Sequence, residues 1–289
     1  MENDILANKP VIINAALTGM VPTKEDTPHV PITIEEIAAD VEAVAEAGAS
    51  VVHLHPRDEN GQPTCDPEIY RRLIGTVRSR CPEIIICASC SGRIESDVDV
   101  RGVALTFEGD LKPDLASLTC GSMNFPQQAS VNAPQTIMEL AKRMKDRGIK
   151  PEIEVFEPGM INYARYLIRK NLVDEPIYVN ILLGNLGTSS ATALDLGHMV
   201  TLLPEGSVWS VAGIGRYQLT ANTLSLATGG HVRVGLEDNL YYDWQHRTHA
   251  TNCMLVERVV RIASELGRPP ATPHQAREMI GLPILSTPR

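Results

Sequence analysis

Val11–Gly19 reads VIINAALTG, a β-branched run that opens directly into a loop. An open sheet that binds dinucleotides places a G-x-G-x-x-G turn after its first strand, and none follows here. The same unit then recurs down the chain: a short apolar run, a turn and a longer amphipathic stretch. The runs are Val11–Leu17, Ser50–His55, Ile84–Ser89, Leu115–Thr119, Glu152–Phe156, Ile177–Leu183, Val208–Ala212 and His231–Leu236. Helical spacing predicts helices over Ile34–Ala47, Pro67–Arg80, Val98–Glu108, Pro134–Arg147, Gly159–Lys170, Ala191–Leu203, Thr220–Ala227 and Arg247–Leu266. Thr33 ahead of Glu35 and Glu36 has the chemistry of an N-cap, and Gly48 and Gly148 stand where helices stop. Strands alternating with helices imply parallel strands joined by right-handed crossovers, and eight such units are the number that closes a (β/α)8 TIM barrel. A doubly wound sheet is the competing architecture, and the missing glycine turn argues against it. No linker divides the chain, so residues 1–289 read as a single α/β barrel domain with a C-terminal helical appendage from about residue 267.

Composition narrows the function. Twenty-six basic against 35 acidic side chains give a net charge of −9, which disfavours a grip on phosphate backbones. Three Phe, seven Tyr and two Trp, unclustered, offer no stacking platform for single strands, so no nucleic-acid partner is expected. No apolar run approaches the ~20 residues that cross a bilayer, so no membrane partner is expected. The opening MENDILANKPVII lacks the design of a signal peptide. Six cysteines are too sparse for a disulfide scaffold, which points to a reducing cytoplasm. Cys87 and Cys90 form one C-x-x-C pair with no second pair, and they read as core cysteines rather than a redox or metal site.

In a barrel of this kind the chemistry lies at the C-terminal ends of the strands. The second strand ends VVHLHPRD, where His53 and His55 are two apart and share a face. Taken alone, that pattern suits a pair of buried, hydrogen-bonded histidines as well as a metal site. The eighth strand ends HVRVGLEDN, in which Arg233, Gly235 and Glu237 share parity if the run stays extended. Barrel closure brings that strand beside the first, so Glu237 can reach an ion held by His53 and His55. Two histidines and one carboxylate leave a coordination position open, the arrangement of catalytic Zn²⁺. The same set binds Fe²⁺ in oxygenases, but those sit on double-stranded β-helices. Arg233 can stabilise an enolate oxygen and Asp238 can act as a base, against the alternative of a structural salt bridge. Ser89 opens the loop SCSGR, in which Gly92 permits close approach, and Ser117 and Glu154 hold matching rim positions. Glu154 is an acid in the apolar run EIEVF, costly unless it is used or paired, Arg233 being one partner within reach. Gly213, Gly215 and Arg216, or Gly229 and Gly230, offer a weaker phosphate site, and His29 can face the pocket.

Several stretches together resemble the β-keto acid cleavage enzyme family. They are AALTG at Ala15–Gly19, PIT at Pro31–Thr33, EAGASVVHLHPRD at Glu46–Asp58, PEIEVFEPGM at Pro151–Met160, VAGIGR at Val211–Arg216, TGGHVRVGLEDN at Thr228–Asn239 and GRPPATPHQAREM at Gly267–Met279. The resemblance implies a zinc-dependent barrel, one Zn²⁺ per chain, assembled as a homotetramer. It implies condensation of a β-keto acid with acetyl-CoA, as co-substrate, to acetoacetate and a new acyl-CoA. It places the metal ligands on His53, His55 and Glu237, the catalytic arginine and aspartate on Arg233 and Asp238, and an adjacent acid on Glu154. Its substrate contacts fall on Ser89, Gly92 and Ser117. The member acting on 3-keto-5-aminohexanoate carries, after TG, a glutamate for the substrate's ammonium. Val21 stands there in TGMVPTKED, so a neutral, apolar tail is expected unless Glu25 or Asp26 turns inward. A metal-dependent hydrolase on the same barrel and a non-catalytic metal-binding protein are the rival readings. A hydrolase usually adds a lysine or histidine from the fourth or fifth strand, where this chain has LASLT and EIEVF.

Overall fold

The computed structural model describes residues 8–126 and 128–285; the first residues of the opening segment, and the last four of the appendage, lie outside them. In chain order the elements are β1 (Ile13–Ala16), α1 (Ile34–Glu46), β2 (Val51–Leu54), α2 (Pro67–Arg80), β3 (Ile85–Ala88), α3 (Val98–Arg101), β4 (Leu115–Thr119), β5 (Met123–Asn124), β6 (Ala129–Ser130), α4 (Pro134–Arg147) and β7 (Lys150–Val155). There follow α5 (Pro158–Arg169), β8 (Tyr178–Leu183), α6 (Ala193–Leu202), β9 (Val208–Gly213), α7 (Gln218–Ala227), β10 (His231–Val234), β11 (Tyr241–Asp243), β12 (Thr248–His249), α8 (Asn252–Glu265) and α9 (Pro273–Ile280). Eight parallel strands close in the order β1-β10-β9-β8-β7-β4-β3-β2. This is a (β/α)8 TIM barrel.

Local chemistry explains the helix ends. Thr33 and Glu36 form a reciprocal capping box on α1, and Gly148 ends α4 in the left-handed conformation. Two stretches depart from the periodic reading. Over 98–108 only Val98–Arg101 is α-helical; Gly102 interrupts it and 3₁₀ turns carry the chain onward, because glycine gives up the most backbone freedom in a helix. Over 247–266 the helix starts at Asn252, capped by Thr251. The residues before it pair back as the β11–β12 hairpin, which packs Tyr241 against Trp244 with ring centroids 4.8 Å apart.

The helical appendage is α9. Thr272 and Gln275 cap it reciprocally, and Val11 bridges to Pro270 just before it. Its Ala276 and Ile280 pack with Ile12, Val51, Ile85, Leu115 and Tyr178. The appendage therefore plugs the N-terminal end of the barrel and leaves the C-terminal end open. Between plug and rim the interior is polar: Asn14, His53, Glu152, Asn180 and Ser210 are all buried there.

Candidate active site

His53 ends the inward face of β2, in register with Ala16 of β1 and Cys87 of β3. His55 follows just past the strand. Both rings are buried, their Nε2 atoms 3.1 Å apart. Glu237 completes the trio, although not along an extended strand: β10 ends at Val234, and the amides of Asp238 and Asn239 turn back onto the Gly235 carbonyl at 3.2 and 3.1 Å. Gly235 has φ +156°, and a Cβ there would lie 2.0 Å from the Ala16 carbonyl oxygen. Only glycine allows the turn to press against β1, where the Glu237 amide donates to Ala16. Gly19, at φ +63°, makes room for the Glu237 side chain, whose Cγ would stand 2.6 Å from a Cβ. Glu237 Oε1 is 3.2 Å from His55 Nε2, and Oε2 is 4.0 Å from His53 Nε2.

These three residues fit a divalent ion. Two imidazole nitrogens on one tetrahedral Zn²⁺ stand roughly 3.3 Å apart, given Zn–N bonds of about 2.0–2.1 Å. Glu237 Oε2 is buried with no hydrogen-bond partner, an orphaned acceptor that a cation would satisfy. His53, Cys87 and Glu152 also lie close together. That second group suits an ion poorly, because burial raises the Cys87 thiol well above its usual range and keeps it protonated. Glu152 is the outer support instead. It accepts from His53 Nδ1 at 2.6 Å, Cys87 Sγ at 2.9 Å, Asn180 Nδ2 at 2.5 Å and the Asn14 amide. A carboxylate on Nδ1 fixes the ring so that Nε2 faces the site. Burial opposes the charge on Glu152, but the His53 charge and hydrogen bond outweigh it and bring its pKa down to about 2.

Arg233 sits at the centre of an acidic ring. Its guanidinium donates to Glu154 Oε1 at 3.0 Å, Glu237 Oε1 at 2.8 Å and both oxygens of Asp238 at 3.0 and 3.3 Å. Burial works against its charge, yet Asp238, Glu237 and Glu154 hold its pKa well above the normal range. Asp238 is the contrasting case: burial first, then the neighbouring Glu237 charge, raise its pKa despite Arg233. A carboxylate destabilised in its charged form has gained proton affinity, which suits a base. Glu154 also accepts from Thr119 Oγ1 at 2.7 Å.

A cavity of about 280 Å³ opens onto this cluster, and Ser89, Ser117 and Val21 line it. The Ser117 hydroxyl accepts from the Cys90 amide at 3.0 Å and that of Ser89 from the Ser91 amide at 3.2 Å, leaving the hydroxyl protons for a ligand. Val21 is 52% exposed at the mouth. Its loop is clamped by Arg57, which donates to the carbonyls of Gly19 and Pro22. Glu25 and Asp26 are exposed and do not line the cavity; Asp26 accepts from Thr23 in its own turn. Gly92 is not among the lining residues: it backs onto Arg101, whose Nη1 would lie 2.3 Å from a Cβ. His29 is exposed and away from the cavity. Gly229 and Gly230 precede β10, at the opposite end of the barrel, where their carbonyls accept from Arg268. Gly215 is at the right end, and its amide donates to the Asp238 carbonyl at 2.7 Å.

Glu152, Thr119 and Arg93 also face this site. Glu152 carries a local mark in the sequence: it shares parity with Glu154 in EIEVF, so both face the interior. Thr119 and Arg93 carry no comparable local mark.

A family model described as beta-keto acid cleavage enzyme matches residues 10–282. The chain is 44% identical over 273 residues to a 3-keto-5-aminohexanoate cleavage enzyme of Fusobacterium nucleatum, covering 94% of this chain and 98% of that one. It is 39% identical to a 3-oxoadipate:acetyl-CoA acetyltransferase of Cupriavidus necator, covering 96% of each. Among solved structures, the binary complex of ObcA with oxaloacetate superposes with a TM-score of 0.75 at 24% identity, over 89% of this chain and 68% of that longer one. That likeness bears on the fold alone.

Proposed function

Because the chain belongs to the β-keto acid cleavage enzyme family, we propose that it converts a β-keto acid and acetyl-CoA into acetoacetate and a new acyl-CoA. The observation that carries this reading is the meeting of His53, His55 and Glu237 with Arg233 and Asp238 at one cavity. Zinc, one per chain, is the ion this ligand set favours, and when bound it supplies Lewis acidity at the substrate's keto oxygen. Asp238 removes a proton from the carbon between the keto and carboxylate groups. Arg233 shares the negative charge that develops on the enolate. That carbon then attacks the thioester carbonyl, and the CoA thiolate leaves. Attack of the thiolate on the original keto carbon breaks the adjoining carbon–carbon bond, leaving the acyl group on CoA, and the departing acetoacetate enolate takes back the proton held by Asp238. Glu154 holds the far side of Arg233, and Ser89 and Ser117 line the substrate cavity, with Gly92 set behind them in the loop that carries Ser89.

Val21 at the mouth favours a neutral, apolar tail. An ammonium against it would lose its water without a partner, a cost of at least ~1.5–3 kcal/mol relative to a carboxylate neighbour. The two relatives named above differ in just this tail, one amino and one carboxylate by their names. The reading also carries a cytoplasmic homotetramer acting as one unit across residues 1–289, which light scattering on the full chain tests.

Two measurements decide the core of the proposal. His53→Ala and His55→Ala should remove metal and acyl-CoA formation together from a folded barrel; activity in metal-free protein refutes the zinc assignment. Comparing 3-oxohexanoate with its 5-amino derivative should give the higher kcat/KM to the apolar acid, and Val21→Glu should shift preference towards the amine.

A further inference from the structure

The two arginines that line the cavity are in opposite states. Every nitrogen of the Arg233 guanidinium faces a carboxylate. Arg93, in the loop after β3, is not matched in this way. Among the described residues no ion pair engages its guanidinium, and its Nε is buried without a hydrogen-bond partner. The group stands over the ring of Phe125, its carbon 3.7 Å from the centroid. Phe125 is braced in turn edge-on by Phe156, centroids 5.9 Å apart, and both rings line the cavity. The β5–β6 hairpin holds this arrangement: the Phe125 amide donates to the Gln128 carbonyl at 2.9 Å, and Gln128 lines the cavity too.

An arginine fixed over an aromatic face keeps its charge while presenting its donor edge in one plane, the geometry that takes a carboxylate with two parallel hydrogen bonds. The opposite wall explains why such a group is needed. Glu154, Glu237 and Asp238 face the cavity with one guanidinium among them, and the interior below adds Glu152. Zn²⁺ at its proposed site and Arg233 together only balance Glu154, Glu237 and Asp238, so an anionic β-keto acid still calls for a cation that is not already engaged.

We propose that Arg93 is the carboxylate anchor of this site, holding a carboxylate of the β-keto acid and so selecting which acids bind. That the ligand is a β-keto acid rests on the function proposed above; that it carries a carboxylate follows from the unmatched guanidinium. The carboxylate has two sources. One is the group common to every β-keto acid, and the other is a second carboxylate on the tail.

The test is calorimetric titration of 3-oxohexanoate and of 3-oxoadipate into wild-type, Arg93→Gln and Arg93→Lys protein without CoA, followed by steady-state rates with acetyl-CoA. Arg93→Gln should weaken acid binding about ten- to a hundredfold, as expected for losing hydrogen bonds to a charged group, with the KM for acetyl-CoA unchanged. Arg93→Lys, which keeps the charge but loses the fork, should fall between the two. Equal loss for both acids assigns the common carboxylate. Loss confined to 3-oxoadipate assigns the tail carboxylate and also overturns the neutral-tail reading. Unchanged acid binding in Arg93→Gln, a rise only in the KM for acetyl-CoA, or no binding of either acid by the wild-type protein overturns the anchor. Wild-type protein that binds the acids through Arg93 yet forms no acyl-CoA leaves the anchor standing and sinks the proposed reaction.

Discussion

The two ends of this barrel are both built around buried arginines and carboxylates, yet they are opposite in charge balance. At the N-terminal end Asp114 lies between Arg78, 2.5 Å away, and Arg277 of α9, 2.9 Å away, and it also accepts from the Ile86 amide. The same guanidinia donate to the carbonyls of Ile84 and Pro283. Burial opposes the Asp114 charge, but the two arginines prevail and lower its pKa. At the C-terminal end one arginine, Arg233, serves three carboxylates, and Glu237 Oε2 is left without a partner. Where cations outnumber carboxylates and each guanidinium also reaches a carbonyl, the cluster is a lock that ties α9 across the barrel floor. Where carboxylates outnumber cations, the surplus negative charge invites a metal ion and a proton.

The contrast is most exposed to a pair of isosteric changes. Asp238→Asn at the rim should keep the metal and lower kcat by a factor on the order of 10² to 10⁴, the usual worth of a general base. A near-normal rate at saturating substrate would move the base to Glu154. Asp114→Asn at the floor should do the reverse. It leaves two guanidinia facing an amide and should lower unfolding stability by about 3–5 kcal/mol in denaturant titration, with kcat for the folded protein unchanged. A large fall in kcat there would mean that the floor and rim are coupled.

Glu152 lies between the ends and sharpens the comparison. If it serves the rim by fixing the His53 ring, Glu152→Gln should weaken metal affinity about ten- to a hundredfold, measured by chelator competition. Unaltered affinity would make it a core polar group only.

The smallest effect comes from Asp40, a carboxylate that no guanidinium pairs with among the described residues. It accepts from Asn252 Nδ2 at 2.6 Å, and burial, outweighing that bond, raises its pKa to about 6. A raised folded-state value means that Asp40 favours the folded state fully below its ordinary value of 3.8 and loses that contribution as pH climbs through about 6. Asp40→Asn should therefore stabilise the protein at pH 8 relative to pH 4, by about 1–3 kcal/mol. Parallel stability–pH curves for variant and parent would contradict this.

Much of this molecule is legible locally. Alternating apolar runs and helical periods, punctuated by Thr33, Pro134 and Gly148, locate the barrel units because burial of one face and satisfaction of helix ends are short-range demands. His53 and His55 share a face for the same reason, and the residues around Glu237 carry the family's motif. The breaks in the pattern are informative too. Gly102 cuts the third helix short, and the hairpin before Asn252 replaces the start of the last one, since aromatic packing of Tyr241 on Trp244 overrode helical spacing.

From the sequence by itself come the eight strand–helix units, the inward face of the second strand and the acidic turn after the last. Only the tertiary structure decided that Asn14, His53, Cys87, Glu152 and Asn180 form one network, that Arg93 lies on Phe125, and that α9 closes the floor. The reason is physical. A polar group's pairing, and the desolvation that sets its charge state, depend on neighbours from strands and loops far apart in the chain, and no local pattern records which of those will meet.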